Sequence, residues 1–356
     1  MSGGRDMTRT DRVAPSPSAA AVQPSSAGAF PHRRARRRYL IILTVLIVLA
    51  AFFSLGLLAW DNPLPFGSAG FWRIADLRAT NLIVMAVVAF CQAMATVSFQ
   101  TVTNNRIITP SIMGFESLYV AIQTSVIYLA GAAGLVAFAG VTQFVVQVAL
   151  MVLLATLLYA WLLSGKYGNM HVMLLVGIII GGGLGSVATF MQRLLTPSEF
   201  DLLNARLFGS VTNADDSLLP IAIPLCLAAG LALWFSSRRL NVMSLGADVT
   251  RNLGLNHRAQ TIWVLFLVST LMAVSTALIG PLTFLGFLVA TLAYQFADTY
   301  DHRRIFPIAM LTGFVVLTGA YFVMNHIFYA QGVVSIIIEL VGGSVFLYVI
   351  LRKGRL

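Results

Sequence analysis

The sequence predicts an all-α, polytopic membrane protein with about ten transmembrane helices. Of its 356 residues, 58% are hydrophobic and only 10% are charged, whereas roughly a quarter are charged in a typical soluble domain. Ten apolar stretches are each close to the length of about 20 residues that a helix needs to cross a bilayer core. We expect them at residues 39–60, 80–100, 110–131, 135–163, 170–191, 218–236, 260–279, 281–298, 305–325 and 333–351.

The distribution of basic residues predicts the orientation of these helices. If the N-terminus is cytoplasmic, all but four of the 23 Lys and Arg residues fall in cytoplasmic segments. The four on the outer side are Arg73, Arg78, Arg193 and Arg206. Because cytoplasmic loops of membrane proteins carry an excess of Lys and Arg, both termini are expected to be cytoplasmic.

Residues 1–38 are expected to form a disordered, basic cytoplasmic tail, followed by a membrane domain at 39–356. Residues 1–30 are rich in Ala, Ser, Pro and Gly and show no periodicity, as is typical of disordered segments. Five arginines between residues 33 and 38 precede the first apolar stretch. There they would face anionic lipid, so membrane lipid is the expected partner and nucleic acid is not. The first apolar stretch, residues 39–60, is too long for the hydrophobic core of a cleaved signal peptide.

The sequence predicts neither a catalytic site nor a metal site. The five His residues are scattered, and Cys91 and Cys226 lie inside separate apolar stretches. Two carboxylates, Glu116 and Glu339, fall within predicted spans. An ionisable group at mid-bilayer costs about 2.5–3.5 kcal/mol on insertion scales, so each residue invites a functional hypothesis. A structural role and a role in a translocation pathway both stay open for the two residues.

No nucleotide site is expected either. The glycines between Gly177 and Gly185 lie inside an apolar helix, where small residues favour close helix packing. Gly165-Lys166 is followed by Tyr167, and no G-x-x-x-x-G-K-[ST] motif occurs in the sequence, so a P-loop is excluded. If the protein works with ATP and Mg²⁺, another subunit must bind them.

One polar stripe interrupts the second apolar stretch. Gln92, Thr96 and Gln100 recur every four residues, so a helix would present them on a single face. Such a stripe must contact other helices or water within the membrane. Helix–helix hydrogen bonding and the lining of a translocation pathway are the two alternatives.

The inner loop at residues 237–259 predicts a docking element. Val242, Leu245, Val249 and Leu253 are spaced to form one apolar stripe on a single short helix. Gly254 is a natural helix stop, and Asn256 is a natural cap for the helix that follows. An amphipathic cytoplasmic helix either rests on lipid or inserts into a groove of a soluble partner.

Four motifs together resemble the FecCD-type permeases, the membrane subunits of ATP-driven importers for iron-siderophores, haem and cobalamin. The segment Leu245–Gly254 resembles their cytoplasmic coupling segment, and Thr103–Gly114 resembles the loop after their second span. The segment Gly280–Val289 resembles their G-P-x-x-F-x-G-x-x-V signature, and Ile338–Tyr348 resembles their last helix. The resemblance extends from about residue 40 to the C-terminus.

This resemblance implies a type II ABC importer permease architecture in the bacterial cytoplasmic membrane. The expected partners are a second permease chain, either identical or a sister subunit, and two cytoplasmic ATPase subunits that bind ATP and Mg²⁺. An extracytoplasmic binding protein would deliver the ferric siderophore. The segment Thr109–Gln123 resembles the siderophore branch, and the segment Asn325–Tyr329 lacks the Arg that cobalamin-type members often carry. The main alternative is a secondary, ion-coupled transporter that needs no ATPase.

The resemblance also implies roles for individual residues. Arg73 and Arg78, expected in an outer loop, match arginines that dock the binding protein; pairing with Asp76 or lipid phosphate is the simpler alternative. Independently of the resemblance, the polar stripe and the intramembrane carboxylates make a pathway role an alternative for Gln92, Thr96, Gln100, Glu116 and Glu339. The residues expected to couple to the ATPase are Leu245, Gly246, Asp248, Val249, Arg251, Leu253 and Gly254.

Overall fold

The computed structural model describes residues 28–30, 32–60, 63–65, 67–137, 140–164, 170–208, 211, 215–327 and 334–353. Short loops connect its α-helices, and a π-helical turn, Ser111–Phe115, precedes α3. The helices are α1 (Arg33–Ala59), α2 (Ala69–Val102), α3 (Glu116–Ala137), α4 (Val141–Ser164), α5 (Met170–Gln192), α6 (Pro197–Leu207), α7 (Leu219–Phe235), α8 (Ser237–Met243), α9 (Ala247–Asn252), α10 (His257–Ile279), α11 (Leu285–Ala297), α12 (His302–His326) and α13 (Val334–Lys353).

The helices confirm the predicted fold class. Within the described residues, eight helical segments are long and apolar enough to cross a membrane, and α11 and α13 contain shorter apolar stretches. Together these ten correspond in order to the ten predicted spans. The remaining helices, α6, α8 and α9, are short and lie in the connections.

The centre of the bundle is formed by α2 and α10. In each of these helices 78% of the most apolar window is buried, compared with 11% in α1. The central helix α10 packs against α2, α4 and α7, whereas α12 packs against α1, α2 and α11. The exposed apolar side chains of α1, such as Val48 and Leu55, therefore face the lipid side of the bundle.

The two ends of the bundle differ in the short helices that they carry. The connection between α5 and α7 contains α6, and the connection between α7 and α10 contains α8 and α9. Because α7 crosses the bundle between these connections, they lie at opposite ends. We refer to them as the α6 end and the α9 end.

Several helix boundaries differ from the predicted spans. Helix α2 begins at Ala69 rather than residue 80, because the hydroxyl of Ser68 accepts the Phe71 N–H at 3.1 Å and caps a longer helix. Helix α4 begins at Val141 rather than residue 135, after Gly140 with φ +78°. Helix α1 begins at Arg33, so the arginine run forms its first turns. Most of the predicted tail, residues 1–27, lies outside the described residues.

The connection between α10 and α11 is not helical where the eighth span is predicted to begin. Gly280 has φ +86°, and α11 starts only at Leu285. A helix of this length rises only about 20 Å, less than a bilayer core of about 30 Å. Residues 280–284 must therefore lie within the depth of the membrane, where irregular backbone has to be buried in protein or line a water-filled cavity.

Candidate functional site

The coupling segment at the α9 end consists of two short helices, so the prediction of one continuous helix over Val242–Leu253 is wrong. The chain turns at Gly246, where φ is +97°, and α9 starts anew after it. The hydroxyl of Thr250 lies 2.6 Å from the Gly246 carbonyl oxygen and 3.2 Å from that of Val242. Thr250 is fully buried and thereby holds α9 against α8.

An apolar surface nevertheless remains on the coupling segment. The exposed fractions are 59% for Leu245, 43% for Val249 and 59% for Leu253, whereas Val242 is only partly exposed. We call Leu245, Val249 and Leu253 the coupling surface. Val249 of α9 and its C-cap residue Leu253 are four apart and therefore share one face of the helix, whereas Leu245 lies just before the turn at Gly246.

The polar residues of the coupling segment surround this surface. Arg251 and Asp248 form an exposed ion pair at 3.7 Å. The expected ends of the segment are confirmed: Gly254 has φ +81°, which favours glycine, and Asn256 Oδ1 accepts the Ala259 N–H at 3.1 Å.

A hydrogen-bonded junction fastens the coupling segment to the spanning helices. Asn241 of α8 accepts the backbone N–H of His302 at 3.0 Å and also contacts the imidazole Nδ1. Its amide nitrogen donates to Asp301 at 3.0 Å. The other ring nitrogen of His302 lies 2.7 Å from the hydroxyl of Thr101 in α2. These hydrogen bonds join α8 to the start of α12 and to the end of α2.

The loop between α2 and the π-helical turn lies beside this junction. A β-carbon on Gly246 would lie 3.6 Å from Asn104 Nδ2, so the loop motif and the coupling motif are neighbours. Arg106 stacks over the ring of Tyr294 in α11, 4.6 Å from the ring centroid. The Arg106 carbonyl accepts a hydrogen bond from Gln100 Nε2 at 2.8 Å, which places the end of the α2 polar stripe at this loop.

The polar stripe itself is enclosed between α2, α10 and α11. Gln92, Thr96 and Gln100 are at most 2% exposed. Gln92 donates to the hydroxyl of Ser275 at 3.1 Å. Gly286 packs directly on Thr96, because a β-carbon there would collide with its hydroxyl. The stripe is therefore packed between helices in this conformation, while Gln92 Oε1, the Thr96 hydroxyl and Gln100 Oε1 find no hydrogen-bond partner among the described residues. Its pathway role stays a prediction.

Glu116 is buried beside the irregular α10–α11 connection. One carboxylate oxygen accepts a hydrogen bond from Thr283, and among the described residues the other oxygen has no partner. Glu339 is exposed on α13, the helix that packs on the same connection through Gly342 and Phe284. The two intramembrane carboxylates predicted on separate helices thus lie on elements that both contact the α10–α11 connection.

Close backbone contacts hold this site together. Gly114, with φ +99°, packs on Gly181 of α5 so closely that a β-carbon on Gly114 would lie 2.9 Å from the Gly181 Cα. A β-carbon on Gly342 would lie 2.7 Å from Phe284 Cβ. Three of the four sequence motifs therefore meet near Glu116. A β-carbon on Gly182 or Gly183 would meet no side chain or neighbouring helix within 4 Å among the described residues, so only part of the glycine run packs inside the chain.

Arg73 and Arg78 lie on the first turns of α2, so the prediction that they lie in a loop is wrong. Arg78 is partly buried and donates to the carbonyl oxygens of Trp60 at 2.8 Å and Leu57 at 3.2 Å. It thereby caps the C-terminal carbonyls of α1. Arg73 is exposed, which leaves it accessible to a partner.

A cluster of polar residues at the α6 end was not predicted from the sequence. Arg206 of α6 donates to Gln143 of α4 at 2.6 Å, and Gln143 donates to Gln123 of α3 at 3.3 Å. Gln123 in turn donates to Gln147 at 2.7 Å. These residues line a cavity of about 240 Å³. The four-residue spacing of Gln143 and Gln147 within an apolar span was the available signal.

Partial burial lowers the pKa of the Arg206 guanidinium from its ordinary value, although arginine stays charged at neutral pH. The described residues contain no group of three or more His, Cys, Asp or Glu side chains placed to hold a metal ion.

Comparison with known proteins gives a consistent family match. The model of the FecCD transport family matches residues 40–352. The petrobactin import system permease protein FatC of Bacillus anthracis is 54% identical over 331 residues, covering 93% of this chain and 94% of the relative. The petrobactin import system permease protein YclO of Bacillus subtilis is 36% identical over 311 residues, covering 87% of this chain and 95% of the relative.

A solved structure shares the fold. An inward-facing conformation of a metal-chelate type ABC transporter superposes with a TM-score of 0.74 and 20% sequence identity. The match covers 88% of this chain and 99% of that chain. At this level of identity the likeness concerns the fold alone, and it agrees with an arrangement of about ten spanning helices.

Proposed function

The chain belongs to the FecCD transport family, and on that premise we propose that it is one membrane-spanning subunit of an ATP-driven importer for a ferric siderophore. Because the two relatives described above are petrobactin import permeases, ferric petrobactin is the first candidate substrate. In this proposal the α9 end and both termini face the cytoplasm of a bacterial cell.

The observation that carries this proposal is the exposed coupling surface. Leu245, Val249 and Leu253 project from the α9 end. Full burial of a Leu or Val side chain contributes about 1.5–3 kcal/mol, so this surface is suited to a cleft on a cytoplasmic ATPase subunit. In this proposal the ATPase subunits bind ATP and Mg²⁺. Movement of the two ATPase subunits on ATP binding would push α9 and α8, and the His302 junction would pass the displacement to α2 and α12.

A second permease chain, identical or a sister subunit, would complete the pathway. Glu339 is exposed on α13, and a carboxylate facing lipid at mid-membrane costs about 2.5–3.5 kcal/mol. It is better placed against a water-filled path between two permease chains. Glu116 and Thr283, which are hydrogen-bonded to each other, would form part of the wall of that path. The open face of α5 at Gly182 and Gly183 would allow a partner helix to approach closely.

The binding protein would dock at the α6 end and deliver the ferric siderophore there. Arg73 is the exposed arginine that would meet a carboxylate of the binding protein, whereas Arg78 mainly orders the end of α1. Contacts of this kind steer association more than they strengthen it.

The coupling surface can be tested by purifying the importer complex in mild detergent. The double substitution Val249→Asp, Leu253→Asp should release the ATPase subunits, because it would place two charges in an apolar cleft. Asn252→Asp adds one charge of the same sign to the polar side of α9 and should leave the ATPase bound. If the double variant retains the ATPase and transports at the normal rate, the docking assignment is wrong. Uptake without any ATPase would favour the ion-coupled alternative.

A further inference from the structure

The cavity at the α6 end has the size of a small-ligand site. Its volume is about 240 Å³, below the range of about 300–1,000 Å³ that holds drug-sized ligands. It lies within one chain, between α3, α4 and the end of α10, with α6 across it. A small acid or a single carboxylate group fits such a volume, whereas a whole ferric chelate does not.

The hydrogen bonds in the cavity run in one direction. The guanidinium of Arg206 can only donate, so Gln143 must present its oxygen to Arg206 and its nitrogen to Gln123. Gln123 therefore presents its nitrogen to the oxygen of Gln147. Amide orientations are usually ambiguous, but the arginine at the start of this chain fixes all three.

The chain of hydrogen bonds ends on an unpaired donor. Gln147 is only 5% exposed, and no described residue accepts from its Nε2 with hydrogen-bond geometry. The hydroxyl of Tyr119 lies near Gln147 and itself donates to the Arg206 carbonyl at 3.3 Å. A buried donor left without an acceptor costs about 1–3 kcal/mol. Arg206 makes no ion pair within the described part of the chain. Asp215 also lines the cavity, but it is exposed and its carboxylate accepts the Ser217 N–H at 3.0 Å.

The cavity thus offers surplus donors and one positive charge to a ligand that brings acceptors. We propose that it is a binding site for a carboxylate or similar oxyanion, held by the guanidinium of Arg206 and the amide of Gln147. This site goes beyond the proposed transport function, because it lies within a single chain and includes none of the coupling or pathway residues. A ligand there would connect α6 to α4 and hold α6 in place.

The proposal is tested on the full chain in lipid nanodiscs by measuring its unfolding temperature in increasing sodium citrate. Sodium chloride at matched ionic strength controls for screening. A ligand that binds only the folded state raises the unfolding temperature with concentration, so citrate should stabilise the protein and chloride should not. Ferric citrate is tested in the same way. If the free acid is the ligand, sodium citrate should raise the unfolding temperature at a lower concentration than ferric citrate does. If ferric citrate does so at the lower concentration, the site binds a carboxylate carried by a chelate.

Three variants locate the effect. Arg206→Gln keeps a donor for Gln143 but removes the charge. It should need at least about tenfold more citrate for the same shift in unfolding temperature. Gln147→Glu keeps the oxygen that accepts from Gln123 but replaces the free donor with a negative charge, so it should abolish the response. Arg193→Gln removes an exposed arginine predicted to lie on the same side of the membrane and should respond like the wild type.

The outcome that overturns the proposal is equally specific. If citrate shifts the wild type no more than chloride does, the cavity is not an oxyanion site. The same conclusion follows if both cavity variants respond like the wild type. Gln147→Glu preserves the oxygen that accepts from Gln123. Its response to citrate therefore tests the proposal even if Arg206→Gln fails to fold.

Discussion

His302, the first residue of α12, is joined to Thr101 in the last turn of α2: the imidazole Nε2 lies 2.7 Å from the threonine hydroxyl. The backbone N–H of His302 can only donate, so the atom of Asn241 that faces it must be oxygen. That oxygen also faces Nδ1, which therefore carries the proton. Nε2 is left as an acceptor for Thr101, whose hydroxyl proton it shares with the Val97 carbonyl. One neutral imidazole thus connects α8, α12 and α2.

Loss of this imidazole should uncouple ATP hydrolysis from transport. His302→Leu leaves the coupling surface unchanged, so the ATPase should still co-purify, but the substitution removes the link from α8 to α2. We expect less uptake per ATP hydrolysed and a lower stability, by about 1–3 kcal/mol, because buried polar groups lose their partners. Uptake and ATP hydrolysis are measured together in proteoliposomes. His257→Leu, at the start of α10, is the matched control. Unchanged uptake per ATP in His302→Leu would contradict the linkage.

Arg73 and Arg78 should give different phenotypes although they are five residues apart. Arg73→Glu should slow uptake at low binding-protein concentration and reduce its salt dependence, because an exposed charge acts through steering. Its unfolding temperature should not change. Arg78→Glu should in addition lower the stability, because the carbonyls of Leu57 and Trp60 lose a charged donor. Arg193→Glu controls for the general loss of positive charge. Equal stability of both variants would show that Arg78 does not cap α1.

Two glycines on neighbouring elements should respond oppositely to alanine. Gly114→Ala combines a positive φ with a β-carbon 2.9 Å from the Gly181 Cα, and should lower the free energy of unfolding by roughly 2 kcal/mol or more. Gly182→Ala meets nothing within 4 Å and should leave the isolated chain unchanged or slightly more stable. Unfolding of the purified chain in detergent measures both. A tolerated Gly114→Ala would contradict the packing of the π-helical turn on α5.

Whether the polar stripe becomes accessible to water can be measured by thiol labelling, in a protein whose Cys91 and Cys226 are replaced by alanine. Thr96→Cys should not react with a water-soluble thiol reagent in the conformation described, because Gly286 covers it. Reaction in another nucleotide state would show that α11 moves away and that the stripe then lines the pathway. Glu339→Cys, exposed on α13, is the positive control and should react. Reactivity of Thr96→Cys in every state would contradict the packing described.

Much of the fold could be predicted from sequence, because lipid imposes a fixed helix length. Apolar runs of about 20 residues identified ten spans in order, and the basic residues predicted their orientation. The coupling segment has a helix break that residue spacing does not predict. Spacing alone gave Val242 and Leu253 one helix, but Gly246 adopts a positive φ that interrupts it. Periodicity describes which residues share a face, and it does not report where the backbone turns.

The residues of the sites were harder to predict because their partners are distant in sequence. Arg78 bonds to carbonyls on the preceding helix, and Glu116 bonds to Thr283, 167 positions away. Arg206 was recognised only as an outer charge, because its contact with Gln143 depends on how α6 lies across α4. Such contacts follow from tertiary packing, which a single sequence does not specify.

Reconstituted transport tests the central claim most directly. The chain would be placed in proteoliposomes with its partner permease and the ATPase subunits, and uptake of radioactive iron as ferric petrobactin would be measured with the binding protein present. We predict uptake that requires ATP, the ATPase and the binding protein, and that is lost in the Val249→Asp, Leu253→Asp variant but retained in Asn252→Asp. Uptake driven by an ion gradient alone, without ATP or the ATPase, would contradict the function proposed for this chain.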